Sequence, residues 1–545
     1  MSATLAIVTP PVVKPSEPNL SGAAAARVLR GHGVRAFWVD ASIGWYRHAL
    51  GRASLERCLA AAAGRPAGEV LAFRRALRSV TQAAPPLRRP ETYLDWQRYS
   101  SAVTHLDAAL ALASVPHPGF RLRVADVEHR GSRPESAAAL LRLARGATPF
   151  DAYFTDELIP ALRARGATHV GLSLTFQNQA YAAFRLARLL RERLPDLALL
   201  LGGPLPACWV AAGLRLDHEA FGLFDRIVPG DTDAALQALA RELGGAAGAA
   251  EGAAPGGPLA VGPGGPLSID LDETDFGAYL APLPKVPAAL GRGCYWGRCT
   301  FCPDHLHPRH RPCGEDALEA FLRQVAARFP AGAMLHLTDS ALPPRHLEHL
   351  ADLIQRHALP LSWHGFVRAE GAFADPAFAS HLAAGGCAML QIGIESAAPR
   401  MLDLMGKGAG PEVMRRLLRA TAAAGIRNQV YLLFGLPTET DADREATLAF
   451  VEEEGATISD INHALLNLPR RSPMHRWPER YGVTAIVPFH ATTDLSLYDD
   501  FRCGGSHPRV EARRWLDRRF LKSAAVKRIL GGLRAPFKAN HACFL

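Results

Sequence analysis

Three thiols crowd into nine positions of this chain. Cys294, Cys299 and Cys302 lie in Gly291-Arg292-Gly293-Cys294-Tyr295-Trp296-Gly297-Arg298-Cys299-Thr300-Phe301-Cys302-Pro303. Thiolates are the natural ligands of iron–sulfur clusters. A compact loop lets three of them converge, and Gly293 and Gly297 permit the tight bends this needs. Three cysteines leave one iron without a protein ligand, and an open coordination position is where a metal site does chemistry. Two other readings of the same residues stand beside this one. Cys313, eleven residues past Cys302, could complete a four-thiolate zinc site, although zinc knuckles usually come as two Cys-x2-Cys pairs and only one is present. The cysteines could also be small core residues.

The elements that would position this loop follow from hydrophobic periodicity. Apolar runs at 286–290, 333–337, 361–366, 389–394, 429–434 and 461–466 alternate with helical patterns, which predicts six β/α units in a partial or full barrel. Such barrels work at the carboxyl ends of their strands, and the cysteine loop follows the first of them. Asp339, Arg368 and Glu395 fall at the ends of the second, third and fourth. Upstream, strands at 5–8, 34–39, 169–174, 197–201 and 224–228 alternate with helices at 20–30 and 179–193 and a helix ending near 243, passing through Gly230-Asp231. This predicts a parallel, doubly wound sheet that takes ligands beyond its strand ends. The rhythm breaks over about 50–163, which reads as a mostly helical insertion.

The expected fold class is therefore α/β. An N-terminal Rossmann-like doubly wound parallel sheet with a helical insertion occupies 1–245. A linker over 246–284 follows, rich in Gly, Ala and Pro over its first half and unable to bury apolar surface there. Next come a partial (β/α)6 TIM-type barrel over 285–470 and a small C-terminal extension over 471–545. In that extension His541 could cap the barrel mouth. The run Asp304-His305-Leu306-His307-Pro308-Arg309-His310-Arg311 could line a cavity or be a solvated loop.

The cysteine loop, with Phe301 before its last cysteine, resembles that of the radical S-adenosylmethionine (SAM) superfamily. The usual spacing there is Cys-x3-Cys-x2-Cys; this chain has Cys-x4-Cys-x2-Cys. The resemblance implies that Cys294, Cys299 and Cys302 bind a [4Fe–4S] cluster and that SAM chelates the fourth iron. One electron then cleaves SAM to a 5′-deoxyadenosyl radical that abstracts substrate hydrogen. It also implies cofactor roles for Phe301, for Asp339 and Ser340 in Thr338-Asp339-Ser340, for Arg368, for Glu395 and Ser396 in Gly393-Ile394-Glu395-Ser396, and for Gly435 in Gly435-Leu436-Pro437-Thr438-Glu439-Thr440. An electron donor such as flavodoxin or ferredoxin is implied as a partner. The first sheet is similar to the cobalamin-binding domain often joined to these barrels. Its counterparts are Ser173 and Thr175 in Gly171-Leu172-Ser173-Leu174-Thr175, and Gly202-Gly203. The family's Asp-x-His-x-x-Gly segment is absent: Thr9-Pro10-Pro11-Val12-Val13-Lys14-Pro15 stands after the first strand, without a histidine. With cobalamin the implied reaction is methylation of an unactivated carbon of a small-molecule or peptide substrate, with Tyr295 and Trp296 free to pack on the corrin. A cyclisation or rearrangement without methylation is the alternative, as is a non-catalytic iron–sulfur sensor or zinc scaffold.

Bulk properties fit an enzyme more than a nucleic-acid binder. The formal net charge of +9 comes mostly from Arg scattered along helical stretches, with no dense basic tail. No apolar run reaches the length of a membrane span, and the N-terminus has no signal-peptide layout. An odd count of nine cysteines does not make a secreted disulfide framework. These observations predict a cytoplasmic protein.

Overall fold

The computed structural model describes residues 3–81, 85–228, 232–244, 265–303, 310–531 and 541–544. Two parallel sheets organise it. In the first, β1 (Thr4–Thr9), β2 (Arg35–Asp40), β3 (His169–Ser173), β4 (Ala198–Gly202) and β5 (Arg226–Ile227) lie in the order β2-β1-β3-β4-β5. Every residue of β1 is buried, as expected for a parallel strand covered on both faces. Strand order reverses between β1 and β3, and a ligand crevice opens at such a switch point. Helix α1 (Leu20–Gly31) starts there, with Asn19 capping it through the Ser21 N–H at 3.2 Å. Helix α2 (Gln179–Arg193) follows β3, α3 (Pro204–Ala211) follows β4, and α4 (Thr232–Glu242) follows β5.

The insertion is not wholly helical. Beside the long helix Trp96–Ala113 it holds an antiparallel hairpin, Phe120–Arg123 with Asp126–His129. Its Tyr99, Phe150 and Phe154 share one core with β1 and α2, so it is built into the first layer rather than appended. The expected linker also differs. Gly230, Asp231 and residues 245–264 lie outside the described residues, but from 265 onward the chain is packed. Ile269 and Leu271 are buried, and Leu267–Ser268 forms strand β6 of the second sheet. The Tyr279 hydroxyl donates to Asp40 at 2.8 Å. Burial pushes that carboxyl up to about 6.

The second sheet is an open barrel. Its parallel strands are β7 (Lys285–Ala289), β8 (Ala333–Leu337), β9 (Leu361–Arg368), β10 (Cys387–Glu395), β11 (Arg427–Phe434) and β12 (Asp460–Leu465). They run in the order β12-β11-β10-β9-β8-β7, and β6 pairs antiparallel on the β7 edge. Val286, Leu335, Trp363, Ile392, Val430 and Ile461 turn outward into the helix-covered core. The alternate positions, including His336, His364, Gln391, Gln429 and Tyr431, face inward and are polar. Beyond β12 a small antiparallel sheet (Leu468–Pro469, Ala485–Val487 and Tyr498–Arg502) leads to a helix, Pro508–Arg518.

His541 does not cap the mouth. It is fully buried and acted on by Lys285, the first residue of β7, so it lies near the barrel's amino end, opposite the cysteine loop. The segment 537–540 before it lies outside the described residues. Among the described residues no helix is long and apolar enough to cross a membrane.

Candidate active site

The cysteine loop is fixed from three sides. At its root, Asp339 beyond β8 accepts the Leu290 N–H at 2.9 Å and the Gly291 N–H as well. Burial still pushes this carboxyl up to about 6. In its middle, the Thr300 N–H donates to Met405 O at 3.0 Å and its hydroxyl to Leu404 O at 2.8 Å. The Trp296 indole N–H donates to Gly406 O at 3.0 Å. These acceptors end the helix α5 (Pro399–Met405), where Gly406 takes a left-handed conformation at φ 65°. A Cβ there would sit 2.6 Å from Arg298 O, so only glycine lets the loop lie this close. From the third side, the Met474 N–H donates to Thr300 O at 3.0 Å.

Cys294, Cys299 and Cys302 are half-buried and free of disulfides. Burial pushes the Cys299 thiol up, while Lys407 and Arg368 pull it down; Glu395 and Cys294 are its other electrostatic neighbours. Cys313 answers instead to Asp339 and Arg292, and burial pushes it up to about 11. Among the described residues no three His, Cys, Asp or Glu side chains gather as the ligands of a single metal ion.

Around the thiols stands a set of charges. Arg368, at the end of β9, lays its guanidinium 3.5 Å from the centre of the Trp296 ring. It donates to Lys407 O at 2.6 Å and to Glu370 at 3.2 Å. Glu370 in turn accepts from the Tyr295 hydroxyl. One Arg368 nitrogen, Nη1, is buried without a hydrogen-bond partner. Glu395 closes β10 at a register shift with φ 64°, a conformation a glutamate adopts only under constraint. Its Oε1 lies 3.3 Å from Lys407 Nζ. A Cβ on Gly393 would come 2.8 Å from that Glu395 oxygen and 3.3 Å from the ammonium. The glycine before Glu395 therefore makes room for the ion pair.

The structure brings Cys294, Cys299, Cys302, Arg368 and Glu395 to one end of the barrel. Other expected residues lie elsewhere. Asp339 is committed to the loop's root, and Ser340 is exposed. Phe301 packs against the barrel core. Ser396 is buried, bonded to Thr447 at 3.1 Å and accepting the Ala398 N–H at 3.1 Å, so it shapes the start of α5. Gly435 faces the C-terminal helix, where a Cβ would lie 3.1 Å from Arg509 Cα. Its N–H donates to Glu439 at 2.7 Å, and Glu439 pairs with Arg444 at 3.1 Å. Both side chains of that pair are almost fully buried. Arg444→Met leaves a buried carboxylate unpaired and is expected to cost about 3–5 kcal/mol, read as a lower denaturant midpoint. Residues 304–309 lie outside the described residues. Lys407 and Glu370 were not singled out as site residues from sequence. The signal for Lys407 was a lone cation directly after the glycine ending a short helix.

The second part of the site lies on the first sheet. Ser173, the last residue of β3, and Thr175 just beyond it bond the Ser21 hydroxyl at 3.0 and 3.1 Å. Gly202 ends β4 and Gly203 follows it. Gly203 has φ 96°, and a Cβ there would meet Leu174 O at 2.6 Å. Beside them opens a cavity of about 510 Å³. Ser21, Ala25, Ser173, Gly202, Gly203 and Ala207 line it, and Arg292 and Gly293 of the cysteine loop reach its wall. The small residues keep it open, and it connects the sheet's switch-point end to the loop.

Residues 289–451 match the Radical SAM superfamily. A Pyrococcus horikoshii protein named as an uncharacterized methyltransferase, PH0819, is 25% identical over 323 residues, 56% of this chain and 67% of that protein. The cobalamin-dependent SAM radical enzyme OxsB, solved with aqua-cobalamin bound, superposes with a TM-score of 0.50 at 16% identity. The match covers 72% of this chain and 64%, under two thirds, of that one. The radical SAM methyltransferase TsrM from Kitasatospora setae, solved with cobalamin and a [4Fe–4S] cluster, gives 0.48 at 16% identity, over 91% of this chain and 85% of that one. The OxsB likeness shows the fold: a parallel α/β sheet followed by a barrel-like core. The matched residues span the cysteine loop, Arg368 and Glu395, so the likeness to the radical SAM superfamily lies where the charged end of the barrel is built.

Proposed function

We propose that this protein is a cobalamin-dependent radical SAM enzyme that methylates an unactivated carbon. The observation that carries this reading is the cavity shared by the first sheet and the cysteine loop. It gives a second cofactor a seat beside the cluster. In this reading 1–245 is the cobalamin-side domain and 285–470 the barrel domain.

Cys294, Cys299 and Cys302 would hold the cluster, and their three-thiol set leaves one iron for SAM. Together the two cofactors supply a carbon radical and a methyl donor, chemistry that no side chain provides. The protein's part is electrostatic and geometric. Arg368 and Lys407 place two cations beside Cys299, which favours the thiolate and offsets the negative charge of a thiolate-bound cluster. Arg368 Nη1 is a buried donor with capacity to spare for a ligand carboxylate. Glu395 holds Lys407 in place and offers its second oxygen to an amino or hydroxyl group. Ser21, Ser173 and the backbone at Gly203 present polar groups on the wall of an otherwise mostly apolar hollow, with Thr175 bonded to Ser21 behind them, which suits a nucleotide tail. A reduced donor such as flavodoxin or ferredoxin would supply the electron, and the net charge of +9 favours an acidic partner of this kind.

Lys407→Met is expected to lower SAM cleavage by about 10- to 100-fold, the usual cost of removing an outer partner of a metal site, with cluster iron retained. Equal iron loss and activity loss would assign Lys407 to holding the loop instead. The reading as a whole is tested by anaerobic reconstitution with iron, sulfide and hydroxocobalamin, followed by absorption spectra and a 5′-deoxyadenosine assay. Retained cobalamin with 5′-deoxyadenosine formation supports it. A product heavier by one methyl group selects methylation over rearrangement. An intact cluster that never cleaves SAM makes the protein a sensor.

A further inference from the structure

The barrel interior holds a polar group that none of these roles uses. His336 on β8 and His364 on β9 are register partners, and their rings stack with centroids 4.4 Å apart. Glu17, from the loop after β1, bonds His336 Nδ1 at 2.8 Å. Lys14 of the same loop and Lys285 of β7 both act on Glu17 and on His364. Two lysines and two histidines therefore converge with one carboxylate, on a strand-to-strand surface that also carries Gln391 of β10.

Two observations indicate that the space between them takes a ligand. The buried His364 ring meets Gln391 through one nitrogen, and no regular hydrogen bond reaches its other nitrogen. Such groups are uncommon and costly when left unmet. Glu17 and His336 lie deep in the protein yet keep 12% and 17% of their side-chain surface accessible, so they face a hollow. On the same inward face Phe366 and Tyr431 are half-buried, and Asn462 beside Tyr431 is exposed.

We propose that Lys14, Lys285 and His364 form an anchoring subsite for an oxyanion, a carboxylate or a phosphate, carried by the substrate far from its reacting carbon. This inference rests on the radical SAM reading above. Burial and Lys285 lower the Lys14 ammonium's pKa while Glu17 raises it, so an anion placed between the two lysines would favour the charged form of Lys14. His364 adds a hydrogen-bond donor without adding charge, since burial and the neighbouring cations keep its ring neutral. Arg368 lies four steps beyond His364 along β9, which at about 3.3 Å per residue puts the anchor roughly 13 Å from the charged end of the site. The substrate would be an acid or phosphate ester long enough to span that distance.

The test is calorimetric titration of the reconstituted protein with inorganic phosphate and, separately, with succinate. At least one should bind. Lys14→Met should weaken binding by about tenfold or more, a loss of one charge-assisted contact, and Lys14→Arg should restore most of it. Phosphate alone binding identifies a phosphate ester; succinate alone identifies a carboxylic acid. If Lys14→Met loses its native circular dichroism, His364→Asn is judged by the same criterion. Failure of both anions to bind, or unchanged binding in these variants, overturns the subsite. SAM cleavage measured on the same samples separates the two claims. Cleavage without anion binding removes this inference alone, whereas anion binding without cleavage removes the radical reading and leaves the subsite.

Discussion

Replacing any one of Cys294, Cys299 or Cys302 by Ala is expected to take 5′-deoxyadenosine formation to background, whereas Cys313→Ala leaves it near the wild-type level. Members of a catalytic set that act as a unit typically cost about 10⁴-fold or more when removed singly. The contrast with Cys313 comes from geometry. That residue follows the short strand Arg311–Pro312, gives its N–H to Leu290 O at 2.7 Å, and has a thiol raised to about 11 beside Asp339. Burial raises the Cys299 thiol as well, but there two cations, Lys407 and Arg368, act against it, whereas Cys313 has Asp339 beside it and Arg292 alone to offset burial. The assay pairs iron and sulfide content with 5′-deoxyadenosine yield for all four variants. Equal loss from Cys313→Ala would point to four thiolates on one site and remove the open iron from which the reaction reading follows.

The alternation of strands and helices was legible because each parallel strand is a short apolar run between turn residues. The helix Gln179–Arg193 and the strand Ala333–Leu337 fall where periodicity places them, and the other barrel strands differ by a residue or two at their ends. The cysteine spacing was legible for a similar reason: its ligands are local in sequence. What was not legible depends on distant contacts. Residues 265–284 look like linker by position after a Gly-Ala-Pro run, yet Ile269 and Leu271 are buried in the barrel's core. The loop after β1 reads as a proline-rich connection, but it carries Lys14 and Glu17 into the barrel. Ser396 and Gly435 stand in the expected segments, yet their surroundings turn them to internal bonds and helix packing. Lys407 matters only because Gly406 ends α5 at a left-handed residue and the chain then passes beside Glu395. No periodicity encodes that.

Filling the shared cavity should separate the two cofactors. Ala207 on α3 and Ala25 on α1 both line the hollow, and neither belongs to the cysteine loop. Ala207→Trp places an indole where the proposed tail of cobalamin would lie. The hollow, about 510 Å³, is in the range that holds a drug-sized group, so one bulky side chain removes much of it. Reconstituted Ala207→Trp protein is expected to retain about tenfold less cobalamin than wild type, equivalent to a binding loss near 1.4 kcal/mol or more, while its iron content stays unchanged. SAM cleavage should survive and methyl transfer should not. Ala25→Trp repeats the test from a different helix and guards against a local folding defect. Gly203 is a poorer choice, because at φ 96° any side chain strains the turn and its Cβ would strike Leu174. Its substitution would lower stability and cofactor content together. If both tryptophan variants keep full cobalamin, the hollow is not its seat. If neither wild type nor variant retains any, the first sheet serves another ligand, and the hydrogen-abstracting barrel acts without a methyl donor.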